Sequence, residues 1–213
     1  MSSKKASDAV KLVLVGDSGV GKTCIISRYV FGEYNNNTNS TDGASYAMKR
    51  LDLPKLRTSI NLDIWDTAGQ EKYKSLTKFF YKEAGIIIMV YDITKKKTFE
   101  NLKTYWYQEV EDSRDQNIIL SIVGNKSDLY DNEEVQEKEA REYAESINAI
   151  FGLTSAQNNI GIDQLFEEIG IKYLNKNFHQ KVGENYTEKP SIQLNQEQIK
   201  KHDKEHKRRK KFC

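Results

Sequence analysis

Positions 10–15 read Val-Lys-Leu-Val-Leu-Val and run without a break into Gly16, Asp17, Ser18, Gly19, Val20, Gly21, Lys22 and Thr23. A helix-like apolar stretch then covers 24–31. Strand, glycine-rich loop and helix in that order constrain the fold more tightly than anything else in the chain. Glycines let successive N–H groups curl around phosphate oxygens, and the amino end of a helix adds partial positive charge at the same point. In such a loop Ser18, Gly19, Val20 and Gly21 contribute backbone donors, Lys22 reaches the outer phosphates, and the Thr23 hydroxyl ligates Mg²⁺. Cys24 follows as a small residue expected to be buried, with its N–H facing phosphate. An ordinary glycine-rich turn is the bland alternative, and the loop alone does not choose between GTP and ATP.

Continuous runs rich in Val, Ile and Leu recur at 86–91 and 118–123, and runs of this kind suit strands buried on both faces. Helical spacings lie between and after them: Phe99, Leu102, Trp106 and Val110, then Ala140, Ala144 and Ile147, then Ile162, Leu165, Phe166, Ile169 and Tyr173. Ile60, Leu62 and Ile64 alternate with polar neighbours, which predicts a one-sided strand near a sheet edge, pairing back through a turn at Pro54. The alternation of strands and helices predicts an α/β fold, a doubly wound, mostly parallel sheet with helices on both faces. Ligands of such sheets bind beyond the carboxyl ends of the strands.

Three further segments fall at those ends. Gly124, Asn125, Lys126, Ser127 and Asp128 follow a buried strand. A carboxylate at Asp128 can accept from both the ring N–H and the exocyclic amine of guanine, whereas adenine has no such donor pair on that edge. GTP therefore becomes the expected ligand. Thr154, Ser155 and Ala156 follow the short apolar segment 149–153, and their backbone N–H groups can donate to the guanine carbonyl oxygen, with Gln157 next along the same base-binding loop. Asp66, at the end of the 60–64 strand, is placed to hold the Mg²⁺ shell, Gly69 to offer its N–H to the γ-phosphate, and Gln70 to orient an attacking water. Thr41 sits in a polar, Asn-rich stretch that alone reads as a linker. A switch needs such a loop, since its hydroxyl can close on Mg²⁺ while the γ-phosphate is present and release once it is gone.

Charge and cysteine usage narrow the class. The net charge of +2 over 213 residues excludes a general polyanion binder, so basic character matters only locally. Cys24 and Cys213 have neither disulfide nor metal spacing, which suits a reducing, cytoplasmic setting. Ser2 stands where N-myristoylation requires Gly, and the run 86–90 is far short of a membrane span of roughly 20 residues.

These segments, in this order, resemble the small GTPases of the Ras superfamily over about 10–175. The stretches 65–71, 72–77 and 89–94 look most like the Rab branch. The resemblance implies a P-loop NTPase fold, the small G domain, with six strands, GTP or GDP bound with Mg²⁺, and slow hydrolysis of GTP to GDP and phosphate. It implies that Tyr34 packs against the guanine ring, that Thr41 is the Mg²⁺-binding threonine of the first switch, and that Gln70 is the catalytic glutamine of the second. Tyr46, Trp65 and Phe80 match an aromatic trio by which Rab proteins are read by effectors, although packing in the core is an equally open reading. Two positions depart from the pattern. Asp42 puts a charge where Rab proteins carry Ile or Val, and Gln157 stands where a lysine normally lies over the base.

The expected organisation is a polar extension, 1–9, a nucleotide-binding domain, 10–176, and a disordered basic tail, 177–213. Lys200, Lys201, Lys204 and the basic block 207–211 precede Phe212 and Cys213. A solvated tail, a nucleic-acid patch and a membrane tether compete for this segment. The tether is favoured because a basic patch adds about 1 kcal/mol per cation near anionic lipid to one lipid chain's marginal hold. Lipidation is therefore assigned to Cys213, and no nucleic acid is expected. By resemblance, the partners are an exchange factor, a GTPase-activating protein, effectors, and a GDP-dissociation inhibitor or prenylation escort. The expected location is cytoplasmic, reversibly on the cytosolic face of an internal membrane, with a role in vesicle trafficking. A metabolic kinase and a nucleotide-binding scaffold with little hydrolysis are the rival functions.

Overall fold

The run at 10–15 forms β1 (Val10–Val15), and the stretch after the glycine loop forms α1 (Lys22–Phe31). In chain order there follow β2 (Ala44–Leu53), β3 (Thr58–Thr67), β4 (Ile86–Asp92), α2 (Lys96–Asn101), α3 (Tyr107–Glu111), β5 (Ile119–Asn125), α4 (Glu137–Ser146), β6 (Ile150–Thr154) and α5 (Ile162–Val182). This computed structural model describes residues 9–35, 44–67, 80–112 and 118–182, with side chains to residue 177. The six strands lie in the order β2-β3-β1-β4-β5-β6. Only the β2–β3 pair is antiparallel, closed by a 3₁₀ turn at Pro54–Leu56, so the 60–64 strand lies one place in from the edge. The doubly wound, mostly parallel sheet expected from the alternation of elements is the one observed.

The two sides of the sheet are covered by different helices. Leu12 and Leu14 of β1 face Ile25, Ile26 and Tyr29 of α1 and Leu165, Phe166 and Ile169 of α5. Val13 and Val15 face the other way, into a cluster with Phe99, Leu102, Trp106, Val110, Ala140 and Ala144. Every residue of β4 is buried, which is why that strand reads as an unbroken apolar run. Burial of each large aliphatic side chain here stabilises by roughly 1.5–3 kcal/mol, so the central strands hold their carboxyl ends in fixed positions.

Two boundaries differ from the sequence expectation. Phe99, Leu102, Trp106 and Val110 are all buried, but a π-helical segment, Leu102–Trp106, separates α2 from α3 where one regular helix was expected. Apolar spacing is blind to a single widened turn. Helix α5 runs to Val182, past the expected start of the tail at 177, and good helix formers such as Lys172 and Lys176 need no apolar stripe to continue it. By its contacts the chain divides into Met1–Asn177 and Phe178–Cys213.

Candidate functional site

Five strand ends bring the chemistry together. Leu14 of β1 is in register with Asp66 of β3, and Asp92 of β4, Asn125 of β5 and Thr154 of β6 form a row across three adjacent parallel strands. The loop after β1 wraps in front of them. Gly16, Gly19 and Gly21 have φ of 140, 79 and 96°, a region that side chains with a Cβ rarely enter. A Cβ on Gly16 would strike the Val90 carbonyl, and one on Gly21 the Asn125 amide. Gly21 caps α1, whose first turn carries no acidic residue, so the positive end of the helix faces the loop uncompensated.

Lys22 Nζ donates to the carbonyl oxygens of Gly16 at 2.7 Å and Asp17 at 3.0 Å. Two of its three protons thus tie the loop into a ring, leaving the third for a phosphate oxygen. Burial lowers its pKa to about 8, against the opposing pull of Asp66 and Asp17. A phosphate group beside the ammonium would favour the charged form.

Thr23 Oγ1 donates to Asp66 Oδ2 at 2.6 Å, and the Asp66 carboxylate is 1% exposed. A hydroxyl and a carboxylate are hard oxygen donors that suit Mg²⁺. Among the described residues no cluster of three or more His, Cys, Asp or Glu could hold a metal. Mg²⁺ fits this sparse arrangement, because it keeps waters and takes further oxygens from phosphates. Thr67 Oγ1 donates to the Leu14 carbonyl at 2.6 Å and fixes the end of β3 against β1. Thr41, Asp42, Gly69 and Gln70 lie outside the described residues, as does Cys213.

On the side of β5 and β6, Asn125 joins the two halves of the site. Its Nδ2 donates to the Val20 carbonyl at 2.9 Å, and its Oδ1 accepts from Thr154 Oγ1 at 3.1 Å and, weakly, from the Ala156 N–H at 3.4 Å. Lys126 has a left-handed backbone (φ 68°), and its Nζ pairs with the buried Asp92 Oδ2 at 2.6 Å. Ser155 Oγ donates to Asp128 Oδ1 at 2.5 Å, which orients the carboxylate. The second oxygen of Asp128 takes no hydrogen bond from the described residues, so it can accept from a base. Tyr34 lies close by, its hydroxyl 3.5 Å from Gln157 Oε1 and its ring under the Arg28 guanidinium, 5.8 Å away.

The sequence model of the Ras family matches residues 11–175. The chain belongs to the Ras family. Among its relatives, human Ras-related protein Rab-22A is 45% identical over 161 residues, which is 75% of this chain and 81% of that protein. A putative Ras-related protein Rab-5B of Dictyostelium discoideum is 46% identical over 166 residues, covering 78% and 75%. Human Ras-related protein Rab-31 is 42% identical over 187 residues, covering 86% and 94%. The protein is a small GTPase of the Rab type, a switch that binds GTP and GDP, hydrolyses GTP, and acts in vesicle trafficking. The kinase alternative falls with this result.

The aromatic trio is contiguous on this GTPase. Tyr46 meets Trp65 edge-on with centroids 5.2 Å apart, Trp65 meets Phe80 at 5.8 Å, and Tyr46 is 48% exposed. Trp65 and Phe80 pack against the buried cluster beneath them, as the core-packing reading expects. Cys24 departs from expectation: it is half-buried, because it sits on the first turn of α1 and touches the core from one side only.

Some site residues escaped the sequence reading. The carboxylate of Asp17 accepts from Asn101 Nδ2 at 2.7 Å and from Trp106 Nε1 at 2.8 Å, so the phosphate loop is anchored to the helical stretch after β4. Trp106 carried a signal only as one member of an apolar stripe. Asp92 and Arg28 carried none, because a lone charge reads as surface unless its partner is known.

Proposed function

We propose that the loop from Gly16 to Thr23 holds the phosphates of GTP, and that Asn125, Asp128, Ser155, Ala156 and Gln157 hold the guanine, with Tyr34 at its edge and Lys126 braced by Asp92. The observation that carries this reading is the Asn125 side chain, which hydrogen-bonds the phosphate loop at Val20 and the base loop at Thr154. Both ends of one nucleotide are thereby gripped by a single bonded unit. Thr23 and Asp66, with Thr41, would hold Mg²⁺, which supplies positive charge against the phosphate oxygens. Water attacks the γ-phosphorus in line, the bond to the β–γ bridging oxygen breaks, and GDP and phosphate result, with Gln70 orienting the water and the Gly69 N–H touching the γ-phosphate.

No arginine of the sequence matches a built-in arginine finger, so turnover is slow until a GTPase-activating protein contributes on the order of 10³–10⁵ in rate. An exchange factor, effectors and a GDP-dissociation inhibitor or prenylation escort complete the cycle. Lipid on Cys213 beside the basic block would place the protein on the cytosolic face of an internal membrane. Among the described residues no helix is long and apolar enough to cross one.

Single-turnover hydrolysis tests the assignment. Gln70→Leu should retain GTP binding and lose stimulated turnover, and unchanged turnover would remove Gln70 from its role. Asp128→Asn should shift preference from guanine to xanthine nucleotides, because an amide donates where the carboxylate accepted. Mass spectrometry of the native protein showing an unmodified Cys213 would end the lipid assignment.

A further inference from the structure

Arg28 stands on the last turn of α1, outside both nucleotide motifs, yet each nitrogen of its guanidinium is committed. Nε donates to the Ala156 carbonyl at 2.9 Å, one terminal nitrogen to the Gln157 carbonyl at 3.1 Å, and the other to the Gly32 carbonyl at 2.7 Å. Gly32 closes α1 with its own N–H on the carbonyls of Arg28 and Ser27, so this fork springs from a fixed helix end. Two consecutive carbonyls of the base loop are thus drawn to one side by one rigid, planar group.

A planar trans peptide points its N–H opposite to its C=O. Holding the Ala156 carbonyl therefore aims the Gln157 N–H away from Arg28, and holding the Gln157 carbonyl does the same for the Asn158 N–H. The second is already satisfied: Asn158 N–H donates to Ser155 Oγ at 3.0 Å, and that hydroxyl in turn holds Asp128. The Gln157 N–H donates to no described residue. The loop itself is closed by the reciprocal bonds of Ser155 and Ile160, each 3.0 Å, so it cannot swing to find another partner. One N–H of the base loop is thus turned away from Arg28 with no acceptor among the described residues.

We propose that Arg28 is a specificity-positioning residue, which by gripping the carbonyls of Ala156 and Gln157 aims the Gln157 N–H, beside that of Ala156, at the 6-oxo group of a guanine base. The inference rests on the base site assigned above and adds how that site reads the oxygen edge. It also accounts for the glutamine at 157: the residue acts through its backbone, so the lost lysine does not remove recognition of the 6-oxo group.

The test compares three nucleotides on the full-length protein with Mg²⁺, each displacing a fluorescent GDP analogue. GDP has both the 6-oxo group and the 2-amine, IDP keeps only the 6-oxo group, and 2-aminopurine riboside diphosphate keeps only the amine. Arg28→Lys retains the charge but cannot make the fork. It should weaken GDP and IDP to the same extent, by about five- to tenfold, the scale of one misdirected hydrogen bond. The 2-aminopurine nucleotide should change by less than about twofold on the same scale. Gln157→Pro, which deletes the N–H itself, should give the same selective loss. Equal weakening of all three nucleotides in both variants would show a merely structural role and overturn the proposal, as would no weakening. A wild-type protein that binds the 2-aminopurine nucleotide as tightly as GDP would instead refute the base site itself.

Discussion

Replacing Asn125 with Ala removes a side chain bonded to both loops. The Val20 carbonyl loses its 2.9 Å donor and the Thr154 hydroxyl its 3.1 Å acceptor, and both residues are fully buried. Orphaning a buried polar group costs about 1–3 kcal/mol, while the 3.4 Å contact to the Ala156 N–H is too long to count for much. With two groups orphaned, the expected loss is therefore about 2–6 kcal/mol, a large share of the roughly 5–15 kcal/mol of an ordinary domain. Asn125→Asp should cost at least as much, since it turns the donor into a buried carboxylate against the Val20 carbonyl. Urea unfolding with saturating GDP and Mg²⁺ measures the loss, after the ligand's contribution, RT ln(1 + [GDP]/Kd), is subtracted with each variant's own Kd. Thr154→Val removes the hydroxyl that Asn125→Ala orphans, so the double variant should fall short of the summed single losses by about 1 kcal/mol. A corrected loss under about 1 kcal/mol, or additivity within about 0.5 kcal/mol, would refute the bonded unit.

Gly19→Ala meets no atom within 4 Å and bears only the strain of its positive φ, about 1–2 kcal/mol, whereas Gly16→Ala drives a Cβ into the Val90 backbone and should prevent folding. Thermal unfolding and soluble yield of the pair check the contrast, and equal behaviour would be the wrong result for this loop. Trp106→Phe keeps the packing but loses the donor to Asp17, and should lower stability by about 1.5–3 kcal/mol in chemical denaturation, as expected for a hydrogen bond to a charged acceptor. Tyr91→Phe deletes a buried hydroxyl that has no hydrogen-bond partner among the described residues. It should leave stability unchanged or raise it by up to about 1 kcal/mol, and a clear loss in the same assay would reveal a partner.

The motifs were legible because each is local. Backbone donors, a lysine and a hydroxyl within eight consecutive residues need no tertiary information to be recognised as a phosphate cradle, and the strand periods around them announce a sheet. What binds one motif to another was not legible. Asn125 reads as part of a base motif, and nothing in its neighbourhood shows that its amide ends on Val20. The pairs of Asp17 with Trp106 and of Lys126 with Asp92 are equally long-range, and a charged residue without its partner looks like solvated surface. Where α5 ends was not legible for another reason: apolar periodicity marks only the part of a helix that packs.

By itself the sequence determined the order of strands and helices, the buried character of β1, β4 and β5, and the residue types able to hold phosphate, Mg²⁺ and guanine. These follow from periodicity and from chemistry confined to a few neighbours along the chain. Only the tertiary structure decided how the separate motifs became one site, because parallel register alone places Asp92, Asn125 and Thr154 side by side. It also decided that Arg28, unremarkable in the sequence, reaches the carbonyls of Ala156 and Gln157. Such a contact depends on where two elements far apart in the chain end in space, and no local pattern encodes it.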